Sequence, residues 1–407
     1  MEYGLLGEKL GHSFSPQLHK ALAGYDYALL PTPPEALDEL FAQRQFRGLN
    51  VTIPYKQAVI PLCDEVNARA AAIGAVNTVV NRNGHLTGYN TDIDGLIYMA
   101  QRACVELSDK KVLILGSGGT SRTARAAAEE LGAREIIVIS RTGENNYENI
   151  HRHRDAQVII NTTPVGMFPH CGVSPLDLDG FPHLTGVLDV VYNPLRTALL
   201  MQAEDRGIPC SCGLPMLAAQ ARRAAELFTD TSIADSKMEQ VLTDLTAQLE
   251  NIVLIGMPGC GKSTIGAELA RSYGKKFIDL DVLIAERAGK TIPAIFHEDG
   301  EECFRRLESL CAREAGAETG AVISTGGGIV TRAENYAPLH QNGVIVHLLR
   351  DAAKLPKDGR PVSQSVDPDT LWQRRRHLYA AFADLTIDNN GPLTQTLDLL
   401  KKELDNR

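Results

Sequence analysis

Short apolar runs alternate with helix-compatible stretches along most of this chain, the pattern of strands buried on both faces and separated by covering helices. The clearest unit starts at Lys111-Val112-Leu113-Ile114-Leu115. After it come a glycine turn, an alanine-rich helix through Leu131, Gly132 as its stop, and a strand over Glu135–Ile139. Further strands are predicted at 158–160 and 186–191, and a helix with a proline at its start at 215–228. Residues 229–250 are polar but helix-compatible, with Val241, Leu242, Leu245 and Leu249 at three- and four-residue spacing. No Gly/Ser- or Pro-rich linker separates them from a strand at 252–255, so the boundary near 250 is tight. Beyond it, strands are predicted at 277–280, 321–324, 344–348 and 385–387. Residues 5–95 show the same alternation, punctuated by Gly and Pro.

Two of these strands run into glycine-rich loops of different design. Gly116-Ser117-Gly118-Gly119-Thr120-Ser121 follows 111–115 and opens a helix. Glycines at 116, 118 and 119 permit a sharp turn and a close approach of backbone N–H groups to a pyrophosphate. The end of the next strand carries Ser140-Arg141-Thr142 in place of the carboxylate an NAD site uses for the ribose. Two hydroxyls and a guanidinium suit a 2′-phosphate, so NADP(H) is the expected cofactor. The second loop, Gly256-Met257-Pro258-Gly259-Cys260-Gly261-Lys262-Ser263, follows 252–255 and has the GxxxxGK[ST] form. It predicts ATP with Mg²⁺: Gly259, Gly261 and Thr264 at the phosphates, Lys262 on the β- and γ-phosphates, and Ser263 on the metal.

Composition narrows the partners. A length of 407 residues predicts two or three domains, and 44% hydrophobic with 22% charged residues fits a globular chain. A net charge of -9 argues against nucleic acid. The basic run Arg374-Arg375-Arg376 reads by default as a solvated helix face. No leader-like start and no apolar stretch of roughly 18 residues is visible, so no membrane partner is expected. Eight scattered cysteines without a CxxC pair point to a reduced, cytoplasmic protein without zinc.

Three clusters precede the first loop: Gly11-His12-Ser13-Phe14-Ser15-Pro16, Asn50-Val51-Thr52-Ile53-Pro54-Tyr55-Lys56, and Gly74-Ala75-Val76-Asn77-Thr78 with Asn90-Thr91-Asp92. Downstream lie Asn161-Thr162-Thr163-Pro164-Val165-Gly166-Met167, Asp189-Val190-Val191-Tyr192-Asn193-Pro194 and Gly213-Leu214-Pro215-Met216-Leu217-Ala218-Ala219-Gln220-Ala221. In this order they resemble shikimate dehydrogenase over residues 1 to about 248. The resemblance implies hydride transfer between NADPH and the C3 carbonyl of 3-dehydroshikimate. Lys56 and Asp92 match the catalytic pair, and Ser13, Ser15, Thr52, Asn77, Tyr192 and Gln220 match substrate positions. Met167 and Gly213 fall where the family brackets the nicotinamide. Many relatives have Asn before the Arg-Thr pair and a second basic residue soon after, where this chain has Ser140 and Asn145. Preference for NADP over NAD is therefore expected to be less strict.

The second loop is followed by Asp279-Leu280-Asp281, Gly300-Glu301-Glu302-Cys303-Phe304-Arg305-Arg306-Leu307-Glu308, Gly326-Gly327-Gly328 and Arg375-Arg376-His377-Leu378-Tyr379. These resemble shikimate kinase over about 251–390. The match implies that Asp279 joins the magnesium shell and Asp281 orients the attacking 3-hydroxyl. Arg305 and Arg375 would clamp the carboxylate, with Gly327 and Gly328 permitting close backbone approach. Arg360 matches the lid arginine that reaches the triphosphate. The lid segment 355–360 is short and lacks the family's first arginine, with Lys357 as a possible point charge in its place.

The expected fold is α/β throughout: a substrate domain (1–95), a Rossmann NADP domain (96–248) and a P-loop, NMP-kinase-like parallel α/β domain (249–407). The expected function is a bifunctional shikimate-pathway enzyme handling small-molecule substrates in consecutive steps. The alternative is a quinate/shikimate oxidoreductase fused to a kinase module of reduced activity.

Overall fold

The computed structural model describes residues 2–11, 13–355 and 367–406. Its chain forms two compact units: one of residues 1–167, 173–192 and 199–245, the other of 168–172, 193–198 and 246–407.

The first unit holds two sheets. One contains β1 (Tyr3–Gly7), β2 (Tyr27–Pro31), β3 (Gly48–Val51), β4 (Glu65–Val66), β5 (Thr78–Arg82) and β6 (His85–Tyr89), in the order β2-β1-β3-β5-β6-β4. Its β1–β2 and β1–β3 pairs are parallel and its β3–β5 and β5–β6 pairs antiparallel. The other is wholly parallel: β7 (Lys111–Leu115), β8 (Glu135–Ile139), β9 (Val158–Asn161), β10 (Gly186–Asp189) and β11 (Cys210–Ser211), in the order β11-β10-β9-β7-β8. The chain leaves β7 toward β8 and returns on the opposite side at β9. That is the switch point of a doubly wound sheet, where a crevice opens beyond the strand ends.

The helix Asp92–Arg102 joins the two sheets. Ile93, Leu96, Met99 and Ala100 are buried with Val112 and Ile114 of β7, while its first residue follows the strand β6. The boundary expected at 95/96 therefore falls inside one continuous helix. Leu214–Thr229 packs beside it so closely that a Cβ on Gly95 would come 2.5 Å from Met216 O. The same helix reaches the first sheet, where Phe228 stacks on Tyr3 with ring centroids 5.3 Å apart.

The second unit contains β12 (Asn251–Ile255), β13 (Lys276–Asp279), β14 (Ala321–Ser324), β15 (Gly343–Leu349) and β16 (Leu385–Asp388), all parallel, in the order β13-β14-β12-β15-β16. Its central β12 is buried along its whole length. The predicted strands have ends within one residue of those observed, except that the run predicted at 186–191 ends two residues earlier, at Asp189. Asp189 is fully buried and its carboxylate accepts from Asn161 Nδ2 and Val191 N, which turns the chain away from the sheet. No helix among the described residues is long and apolar enough to cross a membrane.

Two outcomes follow from packing in the first unit. A Cβ on Gly48 would lie 2.2 Å from Phe228 Cδ1, so Gly48→Ala should destabilise by about 1–3 kcal/mol, read from the urea midpoint. His19 is fully buried, its Nδ1 2.5 Å from Tyr25 OH. Burial lowers its pKa to about 3 against a smaller opposing pull from Asn50. An unfolded histidine titrates near 6.5, so below that pH the unfolded chain binds a proton the folded one refuses. The His19 contribution should be complete above roughly pH 6.5 and fall by up to about 1.4 kcal/mol per unit toward pH 3, and His19→Phe should remove that part of the slope.

Candidate active sites

In the first unit the turn after β3 carries Lys56, and the first residue of the helix Asp92–Arg102 is Asp92. Their side chains meet, Lys56 Nζ donating to Asp92 Oδ2 at 2.5 Å. Lys56 is pinned through its carbonyl, which accepts from Val76 N at 2.7 Å. Asp92 is set by the buried residues before it. Asn77 Oδ1 accepts from Thr91 N at 2.7 Å, and Asn77 Nδ2 donates to Thr91 Oγ1 at 3.1 Å. Thr78 Oγ1 donates to Asn77 Oδ1 at 3.0 Å and accepts from Asn50 Nδ2 at 3.0 Å, while Asn50 Oδ1 accepts from Tyr27 OH at 2.7 Å. A continuous polar ladder thus runs from β2 to the start of the helix that bears Asp92.

Asn77 is 3% exposed and largely committed to this ladder, so much of its binding capacity is internal. Thr78 and Thr91 belong to the same network. Both stand within the polar clusters of the sequence, where no separate role falls to either.

Ser13 and Ser15 are hydrogen-bonded to each other, Oγ to Oγ at 3.1 Å, at the start of the helix Ser15–Ala23. Tyr192 meets Phe14 edge-on at 6.2 Å, and burial raises its phenol pKa. Thr52 continues the register of β3, its N–H donating to Leu6 O at 2.9 Å. Gln220 lies on the helix Leu214–Thr229, its Nε2 donating to Leu217 O.

The first glycine loop sits at the β7/β9 switch point. Gly116 has φ 104°, and a Cβ there would come 2.9 Å from Thr162 Oγ1. At Gly118 and Gly119 a Cβ would meet no protein atom within 4 Å. The helix Gly119–Glu130 has no side-chain cap. Open space above uncapped N–H groups fits a pyrophosphate. At the end of β8, Ser140 Oγ donates to Thr142 O, and Arg141 is exposed with no carboxylate in ion-pair range among the described residues. This fits a 2′-phosphate. Met167 is 44% exposed. Gly213 has a packing cause of its own: a Cβ would lie 2.0 Å from Val190 O.

In the second unit one cavity of about 790 Å³ collects the predicted kinase residues. Gly259, Gly261, Lys262, Ser263 and Thr264 of the loop line it together with Asp279, Asp281, Arg305, Gly327, Gly328 and Arg375. Gly256, Gly259 and Gly261 have φ of 147°, 84° and 98°, conformations that favour glycine. The Lys262 ammonium folds back on the loop, donating to Gly256 O at 2.9 Å and Met257 O at 3.1 Å. Asp279 Oδ1 accepts from Asp281 N at 3.0 Å and so caps the helix Leu280–Ala288. Ser263 Oγ lies 3.3 Å from Ser324 Oγ. No cluster of three His, Cys, Asp or Glu side chains suited to a metal exists among the described residues. One hydroxyl and one nearby carboxylate fit a magnesium ion held largely by phosphates and water.

Arg375 is buried while Arg374 and Arg376 are exposed, so the basic run divides by helix face. Arg375 Nη1 and Tyr379 OH both donate to Gly327 O, at 3.0 and 2.6 Å. The close approaches that Gly327 and Gly328 permit are internal: a Cβ would meet Pro258 Cδ at 2.6 Å and Arg305 Nη1 at 2.2 Å. Glu308, whose role the sequence reading did not assign, is fully buried in the cavity wall and accepts from Arg305 Nη1 at 2.7 Å. Burial raises its pKa, opposed by the Arg305 guanidinium. Its signal was the i,i+3 spacing from Arg305. Arg360 and Lys357 lie outside the described residues.

The ladder can be tested without substrate. Thr78→Val removes a donor and an acceptor from a fully buried site and should cost about 1–3 kcal/mol in the urea midpoint, whereas Thr78→Ser should retain most of the stability.

The family models for the shikimate dehydrogenase substrate binding domain and shikimate kinase match residues 5–79 and 258–404. A shikimate dehydrogenase (NADP(+)) from Halothermothrix orenii is 38% identical over 261 residues, 56% of this chain and 90% of that protein. The chorismate mutase/shikimate 5-dehydrogenase fusion protein from Clostridium acetobutylicum is similar in structure, with TM-score 0.57, 35% identity and coverage of 60% of this chain and 96% of that one. Shikimate 5-dehydrogenase from Thermus thermophilus, solved with NADP(H) and shikimate, gives TM-score 0.55 at 33% identity, covering 60% and 99% of the two chains. The chain therefore belongs to the shikimate dehydrogenase family over its first three-fifths and carries a shikimate kinase domain after it, a two-enzyme polypeptide.

Proposed function

We propose that the first unit reduces 3-dehydroshikimate to shikimate with NADPH and that the second phosphorylates shikimate at its 3-hydroxyl with ATP. The observation that carries the dehydrogenase half is the 2.5 Å Lys56–Asp92 contact in the unit that also bears the uncapped glycine loop. For the kinase half it is the single cavity shared by the P-loop, two aspartates and two arginines.

NADPH, when bound, supplies a hydride to the ketone carbon. Lys56 holds the proton that the ketone oxygen needs as it becomes an alkoxide, and its ammonium stabilises the charge that develops there. Asp92 keeps that lysine aimed through the 2.5 Å contact. Ser13 and Ser15 bind the carboxylate, and Thr52, Asn77, Gln220 and Tyr192 orient the ring and its hydroxyls. Gly116, Gly118 and Gly119 would hold the pyrophosphate, Ser140, Arg141 and Thr142 the 2′-phosphate, and Met167 with Gly213 the nicotinamide end.

ATP with Mg²⁺ supplies the phosphoryl group. Asp281 orients the attacking hydroxyl and accepts its proton, while Arg305 and Arg375 hold the carboxylate. Gly327 permits the close approach of Pro258 of the loop, and Gly328 that of the Arg305 guanidinium. Gly259, Gly261, Thr264 and Lys262 bind the phosphates, with Ser263 and Asp279 toward the metal; by the family resemblance Arg360 is a further ligand of the triphosphate. The functional parts are 1–95, 96–248 and 249–407. Eight free thiols support a reducing compartment such as the cytoplasm.

With 3-dehydroshikimate, NADPH, ATP and Mg²⁺ the protein should form NADP⁺, ADP and shikimate 3-phosphate. Lys56→Ala should lower NADPH oxidation by roughly 10²–10⁴-fold and spare phosphorylation of added shikimate, and Lys262→Ala should do the reverse. NADPH consumption without ADP would leave the dehydrogenase half alone standing. Faster oxidation of quinate than of shikimate, or turnover on NAD above that on NADP, would replace the substrate or cofactor assignment.

A further inference from the structure

The P-loop is flanked by the end of β15. Ile255 of β12 pairs with His347, and a Cβ on Gly256 would come 2.7 Å from Leu348 O. Arg350 is the first residue beyond this strand. Its Nη1 lies 3.9 Å from the position a Cβ would take on Gly261, the glycine that opens the helix Lys262–Tyr273.

Three observations set this arginine apart. Its side chain is half-buried, and its Nε is shut off from solvent without a hydrogen-bond partner. No carboxylate or carbonyl among the described residues comes within ion-pair or hydrogen-bond range of it. Its backbone surroundings are nonetheless tightly held. Asn389 N donates to Leu349 O at 2.8 Å, Asp351 N to Asn390 Oδ1 at 2.9 Å, and the Asn389 amide to Cys260 O of the loop itself. Thr396 Oγ1 fixes that amide by donating to Asn389 Oδ1 at 2.8 Å. The guanidinium is therefore presented from a fixed base.

Other cations of this unit differ. Arg305 is engaged by Glu308 and Glu301, Arg375 by Gly327 O, and Lys354 by Asn390 O. A partly dehydrated guanidinium without a counter-charge is unfavourable unless an anion completes it. The anion that this loop is built to hold is a polyphosphate, which a guanidinium meets with two parallel N–H···O bonds.

We propose that Arg350 is a binding residue for the phosphate chain of the nucleotide, an inference that rests on the kinase reading of the second unit. The test uses the full chain. Arg350→Ala should raise the KM for ATP roughly tenfold or more while the KM for shikimate stays within about twofold, and Arg350→Lys should recover part of the loss. Inorganic tripolyphosphate should compete with ATP on the wild type and lose affinity for Arg350→Ala by a similar factor. An unchanged ATP KM, an equal rise in both KM values, or weakened ATP with unchanged tripolyphosphate each overturns the assignment. A wild-type chain that neither binds ATP nor phosphorylates shikimate overturns the kinase reading and this inference with it. Wild-type activity matched by Arg350→Ala removes Arg350 alone.

Discussion

Backbone N–H groups at the start of a helix must find an acceptor, and in this chain two such helices begin where a buried parallel strand ends. β7 and β12 are buried along their whole length, so neither can turn until it leaves its sheet. Each leaves through a glycine of positive φ, Gly116 or Gly256, at a place where a Cβ would strike a neighbouring strand or its loop. Neither following helix has a side-chain cap. The same constraint that closes the cores thus leaves donors open at the strand ends, and anionic ligands fit there without special side chains.

What differs between the two loops is how charge is supplied. Lys262 sits at the first position of its helix and, without ligand, is satisfied by the loop's own carbonyls. The first loop contains no such cation, and an exposed arginine, Arg141, stands at the end of the adjacent strand. In the proposed function the lysine within the loop meets the end of a triphosphate and the guanidinium one strand away meets the 2′-phosphate of NADP(H).

Both sites also depend on polar groups that are buried to hold others in place. The ladder from Tyr27 through Asn50, Thr78, Asn77 and Thr91 fixes the start of the helix bearing Asp92. In the second unit Tyr379 and Arg375 hold Gly327 O, and Glu308 holds Arg305. Unsatisfied, such groups would be costly in a low-dielectric interior. Satisfied, they leave their neighbours little freedom.

Strand positions, the two glycine loops and the candidate residues Lys56, Asp92, Lys262 and Asp281 were legible in the sequence. They depend on local matters: the period of apolar residues, positive φ, and motifs that lie contiguous in the chain. The sequence also led to Glu308 and Thr78 as neighbours of named residues but not to their roles, since those arise from contacts to Arg305 and to Asn50 and Asn77. Equally, only the fold turned the expected boundary at 95/96 into a continuous helix, and assigned the close approaches of Gly213, Gly327 and Gly328 to Val190, Pro258 and Arg305. The division of the arginine run into one buried and two exposed side chains was likewise decided by helix packing. Periodicity and motifs are properties of a single stretch of chain. Burial, counter-charge and steric approach belong to pairs of stretches that only folding brings together.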